Sequence, residues 1–222
     1  TGLPEEVCRL LHESGASSQV RFFSESGVLG GLPAPGVFFG AGVCPDEMVS
    51  SAQIFHTCYE HLDASILGVL EFDPQGNVNV SRRGEGALHY VGPGGFIDFS
   101  TNAKCVFFVS SWMVGGQMRL ENGRLTIVKP GKIKLVDRVR EITFNGERAL
   151  KSGRGIFYVT NVGVFKLTPG GLELVRVVPG IDVRRDILEP SNNAVKLPAS
   201  GEPSLADASV MTGEGFTIRL KS

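Results

Sequence analysis

The stretch Ser65-Ile66-Leu67-Gly68-Val69-Leu70-Glu71-Phe72 is apolar almost without interruption and closes on Asp73-Pro74-Gln75-Gly76. An apolar run of that length, bounded by turn residues, predicts a strand covered on both faces, as in sheets flanked by helices. The Pro and Gly that follow suit a tight turn. Cys105 to Ser110 repeats the pattern and predicts a second buried strand. Upstream, Met48, Ala52, Phe55, Tyr59 and Leu62 form a helical stripe, although short strands also fit there. Earlier still, Pro4 with Glu5 and Glu6, then Val7, Leu10 and Leu11, reads as a short helix stopped by Gly15. Gln19 to Phe23 reads as a strand.

Downstream the character changes. Glu121-Asn122-Gly123-Arg124 sits between alternating segments within 117–128, a hairpin signal. Ile156 to Thr160, Gly163 to Leu167 and Leu172 to Val177 predict three further short strands, and Asp182 to Leu188 a short helix with Asp182 near its start. From Glu189 onward Ser, Asn, Pro and Gly dominate and periodicity vanishes, which predicts a poorly ordered tail over 189–222. The fold class is therefore α/β: an open, mainly parallel sheet with flanking helices, followed by an antiparallel β portion, in one domain over 1–188.

Composition narrows the function classes. The 222 residues are 42% hydrophobic and 20% charged, with a net charge of −1. Near-balance gives no electrostatic reason to expect nucleic acid or an anionic membrane as partner. No apolar run approaches the ~20 residues that span a bilayer. Cys8, Cys44, Cys58 and Cys105 are widely spaced and have no zinc-ligand pattern, so free thiols in a reducing compartment and no bound metal are expected. His12, His56, His61 and His89 lack paired spacing and read as structural. The 29 glycines are roughly twice the ordinary share and cluster, which suggests backbone brought close to a ligand.

The densest cluster is Ser24-Glu25-Ser26-Gly27-Val28-Leu29-Gly30-Gly31, just past the predicted strand 19–23. Residues after a strand of an open α/β sheet face the usual ligand crevice. A carboxylate hemmed by glycines can be approached by a large ligand and can serve as a covalent nucleophile. From spacing alone, a solvated glutamate in a flexible turn is the more common reading of the same stretch. A second glycine-rich loop, Gly92-Pro93-Gly94-Gly95, fits either an ordinary tight turn or a place where backbone N–H groups face a ligand.

Several segments taken together resemble the family I coenzyme A transferases. The 24–31 stretch resembles that family's active-site signature, a Glu followed by Gly and then a Gly pair. Thr1-Gly2-Leu3-Pro4-Glu5 resembles the end of its Gly-x-Gly-Ile-Pro-Glu loop, and Leu32 to Gly40 follows the signature in order. Gly76-Asn77-Val78-Asn79-Val80-Ser81 and Gly92-Pro93-Gly94-Gly95-Phe96-Ile97-Asp98 match two further loops. Val139 to Gly146 and Tyr158 through Asp182 match the single-chain propionate or acetate type, so the likeness runs over about 1–188.

The resemblance implies transfer of CoA from a short-chain acyl-CoA to a carboxylic acid by a ping-pong route, with Glu25 as the catalytic nucleophile. It also implies an active-site loop of Ser26, Gly27, Gly30 and Gly31. Gly92, Gly94 and Gly95 become candidates to stabilise the oxyanion, and Gly2, Leu3 and Pro4 to contact CoA at the first helix start. Asn77 and Asn79 could bond the pantetheine arm or order their own loop. No cofactor is implied beyond coenzyme A itself as substrate.

The chain starts inside the Gly-x-Gly-Ile-Pro loop. It is expected to be the C-terminal, beta-subunit-like half, either a fragment or a subunit needing an N-terminal partner half, weakly active or inactive by itself. Homo- or hetero-oligomerisation is implied, as is a cytoplasmic or mitochondrial-matrix setting. An inactive scaffold with the same fold, and an acyl-CoA hydrolase in which water replaces the acceptor acid, are the other functions this sequence admits.

Overall fold

Where the first apolar run predicted one long strand, two short ones form, Ala64–Gly68 and Glu71–Phe72, in the computed structural model of the chain. The chain leaves the main sheet at Val69. Glu71–Phe72 turns instead to pair with Val78–Asn79, with Phe72 opposite Val78. The described residues are 3–38 and 40–218. They divide into two compact units: 3–38, 40–65, 94–103 and 217–218 in one, and 66–93 with 104–216 in the other.

The second unit is built on a six-stranded mixed sheet. Its order is Ser204–Leu205, Gly171–Val177, Gly163–Thr168, Gly155–Thr160, Cys105–Ser110, Ala64–Gly68. Gly155–Thr160 runs parallel to Cys105–Ser110, while the next two strands follow as antiparallel hairpins. The α/β class therefore holds, with the antiparallel portion joined to the same sheet as the parallel pair. Cys105–Ser110 alternates rather than being covered on both faces: Val106, Phe108 and Ser110 are buried and their neighbours half-buried. On the inner face Phe72 stacks on Tyr158 at 5.0 Å, and Phe108 meets Phe144 edge-on at 4.8 Å. Trp112, fully buried, stacks on Phe165 and donates its indole N–H to the Asp186 carbonyl.

Asp73 holds the turn after the broken strand. It is fully buried, and its carboxylate accepts from the Gln75, Asn77 and Val139 amides and from the Asn77 side chain. A buried charge with several charge-assisted bonds is a strong local organiser. The hairpin Gln117–Glu121/Arg124–Lys129 forms as its Asn-Gly pair predicts, with Asn122 at φ +50° and Gly123 at +70°. The turn at Val183–Leu188 is π-helical, and Asp182 caps it by accepting from the Arg185 amide.

The expectation of a poorly ordered tail from 189 differs from the structure. Lys196 accepts from the Leu174 amide and donates to the Leu172 carbonyl, Val195 and Ala206 are buried, and Ser204–Leu205 adds to Gly171–Val177 as a parallel edge strand. Composition misleads here because the segment satisfies its backbone on the sheet edge and needs only a few small apolar anchors. Its Asn192-Asn193 pair takes left-handed φ values of 52° and 58°, a conformation asparagine tolerates.

In the first unit, Leu3–Glu13 and Ser51–Glu60 are helical as the apolar stripes require. The second of these carries a capping box: the Ser50 hydroxyl accepts from the Gln53 amide, and the Gln53 side chain accepts from the Ser50 amide. The predicted strand 19–23 does not form. Ser17–Gln19 is a single 3₁₀ turn, and Phe23 alone bridges to Leu29. No helix of the described residues is long and apolar enough to cross a membrane.

Candidate active site

Ser24 to Gly27 closes a tight turn. The Gly27 amide donates to the Ser24 carbonyl at 3.1 Å and the Ser24 amide to the Val28 carbonyl at 3.0 Å. With Phe23 bridged to Leu29, Glu25 stands at the tip of a narrow hairpin and is exposed. The neighbouring hydroxyls point elsewhere: Ser24 and Ser26 share a hydrogen bond, and Ser26 donates to the Gly40 carbonyl. The glycines of this loop are there for space. A Cβ at Gly27 would strike the Val49 carbonyl, one at Gly31 the Val43 and Cys44 carbonyls, and one at Gly30 the Asp46 carboxylate. All three also sit at positive φ. The nucleophile candidate is therefore mounted on a turn braced from behind by 43–49.

The second glycine loop meets that tip. The Gly95 amide donates to Glu25 Oε2. Cβ atoms would lie 2.9 Å from both Glu25 oxygens if added to Gly94, and 2.7 Å from Oε2 if added to Gly95. Gly94 has φ +55°, and Gly95 precedes the helix Phe96–Asn102. Two residues that are 69 and 70 positions from Glu25 in sequence thus present backbone alone to its carboxylate. Such a donor can hold one carboxylate oxygen and later the oxyanion that develops on it. Gly95→Ala is expected to lower kcat by ~100-fold or more, because the methyl would occupy the carboxylate's position. Steady-state kinetics of the full-length variant, with KM alongside kcat, checks this.

Three aromatic rings complete the surroundings and were not singled out from sequence. Phe55 and Phe99 stack at 5.7 Å, and Phe23 meets Phe99 edge-on at 5.9 Å. A Cβ on Gly95 would lie 3.0 Å from Phe55 and 3.1 Å from Phe99. The helical stripe holding Phe55 was legible, but that stripe predicts core packing and carries no sign that one member borders a carboxylate. Next to them, the Tyr59 hydroxyl donates to Asp98 at 2.6 Å, tying Ser51–Glu60 to Phe96–Asn102.

Burial weakens three of the four thiols as nucleophiles. Burial pushes Cys58 up to about 11, helped by the Asp98 charge, and burial likewise pushes Cys8 to about 11. Cys105 is raised by burial as well. All four cysteines are free. Among the described residues, no group of three or more His, Cys, Asp or Glu could hold a metal ion.

The remaining sequence-named residues are placed variously. Leu3 and Pro4 begin the first helix, with Leu3 exposed. Gly2 lies outside the described residues. Gly92 belongs to the second unit and has open space around it. Asn77 and Asn79, also in the second unit, serve their own loop. Asn77 bonds Asp73 and the Gly146 amide. Asn79 donates to Glu71 and the Arg82 carbonyl and accepts from the Ser81 and Arg82 amides. With both donors and both acceptor sites of its amide engaged, Asn79 orders the loop, the second of the two roles open to it from sequence.

The α/β fold thus presents a glutamate on a braced glycine turn with a diglycine backbone facing its carboxylate. Caffeate CoA-transferase from Acetobacterium woodii is 33% identical over 193 residues, covering 85% of this chain and 37% of that protein. Acetate CoA-transferase YdiF from Escherichia coli K12 is also 33% identical over 193 residues, covering 85% of this chain and 35% of that protein. The crystal structure of YdiF from E. coli O157:H7 superposes with a TM-score of 0.84 at 28% identity, over 95% of this chain and 40% of that one. A thioester complex of that enzyme with CoA gives 0.82 at 27% identity, over the same shares of the two chains. The chain belongs to the family I coenzyme A transferases and spans little more than a third of the length of these curated relatives. No family model matches it. The decarboxylase AibA/AibB, at 14% identity and a TM-score of 0.67 over 92% of this chain and 79% of that one, shares the fold alone.

Proposed function

We propose that this chain carries the glutamate-bearing half of an acyl-CoA:carboxylate CoA-transferase, acting together with a homologous N-terminal half. The observation behind this reading is the Gly95 amide donated to Glu25 Oε2 at the tip of a braced turn. The free oxygen, Oε1, attacks the thioester carbonyl; the C–S bond breaks, CoA leaves as thiolate, and a mixed anhydride remains on Glu25. The thiolate then attacks the glutamyl carbonyl, releases the donor's carboxylate and leaves a glutamyl-CoA thioester. An acceptor carboxylate repeats both steps in reverse. No ATP or metal is required, because a thioester is exchanged between two carboxylic acids of similar energy.

In the half-reaction on the glutamyl carbon, negative charge builds on a glutamate oxygen. A donor already in place there needs no reorganisation at the moment of reaction. The thioester complex of YdiF with CoA is a precedent within the family.

The test is an intact mass of the full-length protein after incubation with acetyl-CoA or propionyl-CoA and then borohydride. Borohydride reduces a glutamyl thioester to the alcohol, so the expected result is a mass loss confined to the peptide bearing Glu25. An unmodified Glu25 in a folded protein that still binds CoA overturns the covalent route and favours a hydrolase or an inactive scaffold. CoA release without transfer to added acetate would identify the hydrolase.

A further inference from the structure

Resting on that reading of Glu25, we infer that the Phe55–Phe99 pair forms the wall against which the acyl substituent lies, and that Phe55 sets the size of acyl group accepted. During attack the thioester carbon must come within bonding distance of a Glu25 oxygen, and its substituent must lie beside that carboxylate. On the side of the carboxylate held by Gly95, the surface is made of two rings. Phe55 and Phe99 stand 3.0 and 3.1 Å from the space a Gly95 side chain would fill, and that space is 2.7 Å from Oε2. Both residues are half-buried, so each keeps some surface that a ligand can cover.

The two rings stack at 5.7 Å with 27° between their planes, and Phe23 closes against Phe99 from the edge. Phe99 is thus held by rings on two sides and sits on the Phe96–Asn102 helix that Gly95 precedes, whereas Phe55 belongs to a separate helix, Ser51–Glu60. Phe55 is therefore the ring whose volume can change with least disturbance to the Gly95 amide. The wall is hydrocarbon. A substituent ending in a second carboxylate would have to give up water against phenyl faces, which disfavours diacids relative to apolar acyl groups. Each methylene laid on such a wall is worth a modest, cumulative gain, the basis of ten- to hundredfold discrimination between homologues.

The experiment compares acetyl-, butyryl-, hexanoyl- and succinyl-CoA as donors for full-length wild type, Phe55→Leu and Phe55→Trp, reading kcat/KM for each. Phe55→Leu is expected to raise the hexanoyl-to-acetyl ratio about tenfold and Phe55→Trp to lower it by a similar factor. Wild type is expected to use succinyl-CoA at least tenfold less well than butyryl-CoA. Equal scaling of all donors in both variants would overturn the assignment and make Phe55 merely structural. Borohydride labelling of each protein separates the two levels of failure. A labelled Glu25 with unchanged acyl ratios removes only this inference, whereas an unlabelled wild type removes both it and the reading on which it rests.

Discussion

Glu25→Ala is expected to abolish CoA transfer, lowering kcat by at least ~10⁴-fold, while leaving the fold intact. The magnitude follows from removing the atom that forms the covalent bond: the remaining groups can position substrates but cannot accept the acyl group. The tolerance follows from the local structure. Glu25 is exposed, and its carboxylate accepts from the Gly95 amide, a donor that water can replace. Thermal unfolding of the variant should track wild type within a degree or two. Glu25→Asp adds a graded control. It keeps the carboxylate but withdraws it by one methylene, away from Gly95, and a misplacement near 1 Å costs ~100-fold. The expected order is therefore wild type, then Asp, then Ala, with borohydride labelling lost in Ala. Equal activity of Ala and wild type in a coupled assay for CoA transfer would remove Glu25 from the mechanism.

The second large effect concerns stability. Asp73→Ala is expected to destabilise the protein by ~3–5 kcal/mol, read as a fall in the denaturation midpoint with an unchanged slope. Asp73 is fully buried and collects four donors, three from the loop residues Gln75 and Asn77 and one from Val139. Truncation leaves those donors facing a cavity, and each buried, unsatisfied amide costs ~1–3 kcal/mol, part of it recovered by relaxation or an entering water. Asp73→Asn should fall between, since it retains one acceptor oxygen and loses the charge. A change below ~1 kcal/mol for the alanine variant would mean the loop is held by other contacts.

These two carboxylates show how unevenly the sequence discloses its structure. Glu25 stands out as a candidate because glycines surround it and their order matches a family signature. Asp73 was read only as the start of a turn, because nothing in Asp73-Pro74-Gln75-Gly76 announces that Val139, 66 residues away, will donate to it. The same separation hid Phe55. Its place in a helical stripe is a local fact, whereas its approach to Gly95 and Phe99 depends on how the 94–103 segment returns to the first unit. Local patterns served well where local forces decide, as with Asn122-Gly123 and the Ser50 cap. They failed where an edge is the stabilising partner. Residues 189–206 look unable to bury enough apolar surface, yet Lys196 and 204–206 find backbone partners on Gly171–Val177. The predicted strand 19–23 failed for the converse reason: its residues gain only the one bridge at Phe23.

The braced turn also bears on how this sequence could drift. What presses on Gly27 and Gly31 is main chain, the carbonyls of Val49, Val43 and Cys44, which every amino acid carries alike. No exchange of a side chain elsewhere can make room for a residue larger than glycine at those two positions, so no single suppressor mutation should restore a protein that has lost either one. Gly30 differs. Its obstacle is the Asp46 side chain, so a second-site change at 46 could relieve the crowding, leaving only the cost of a left-handed φ. In a genetic selection for activity, two of the loop's three braced glycines should therefore revert only by returning to glycine, and the third should yield partners at position 46.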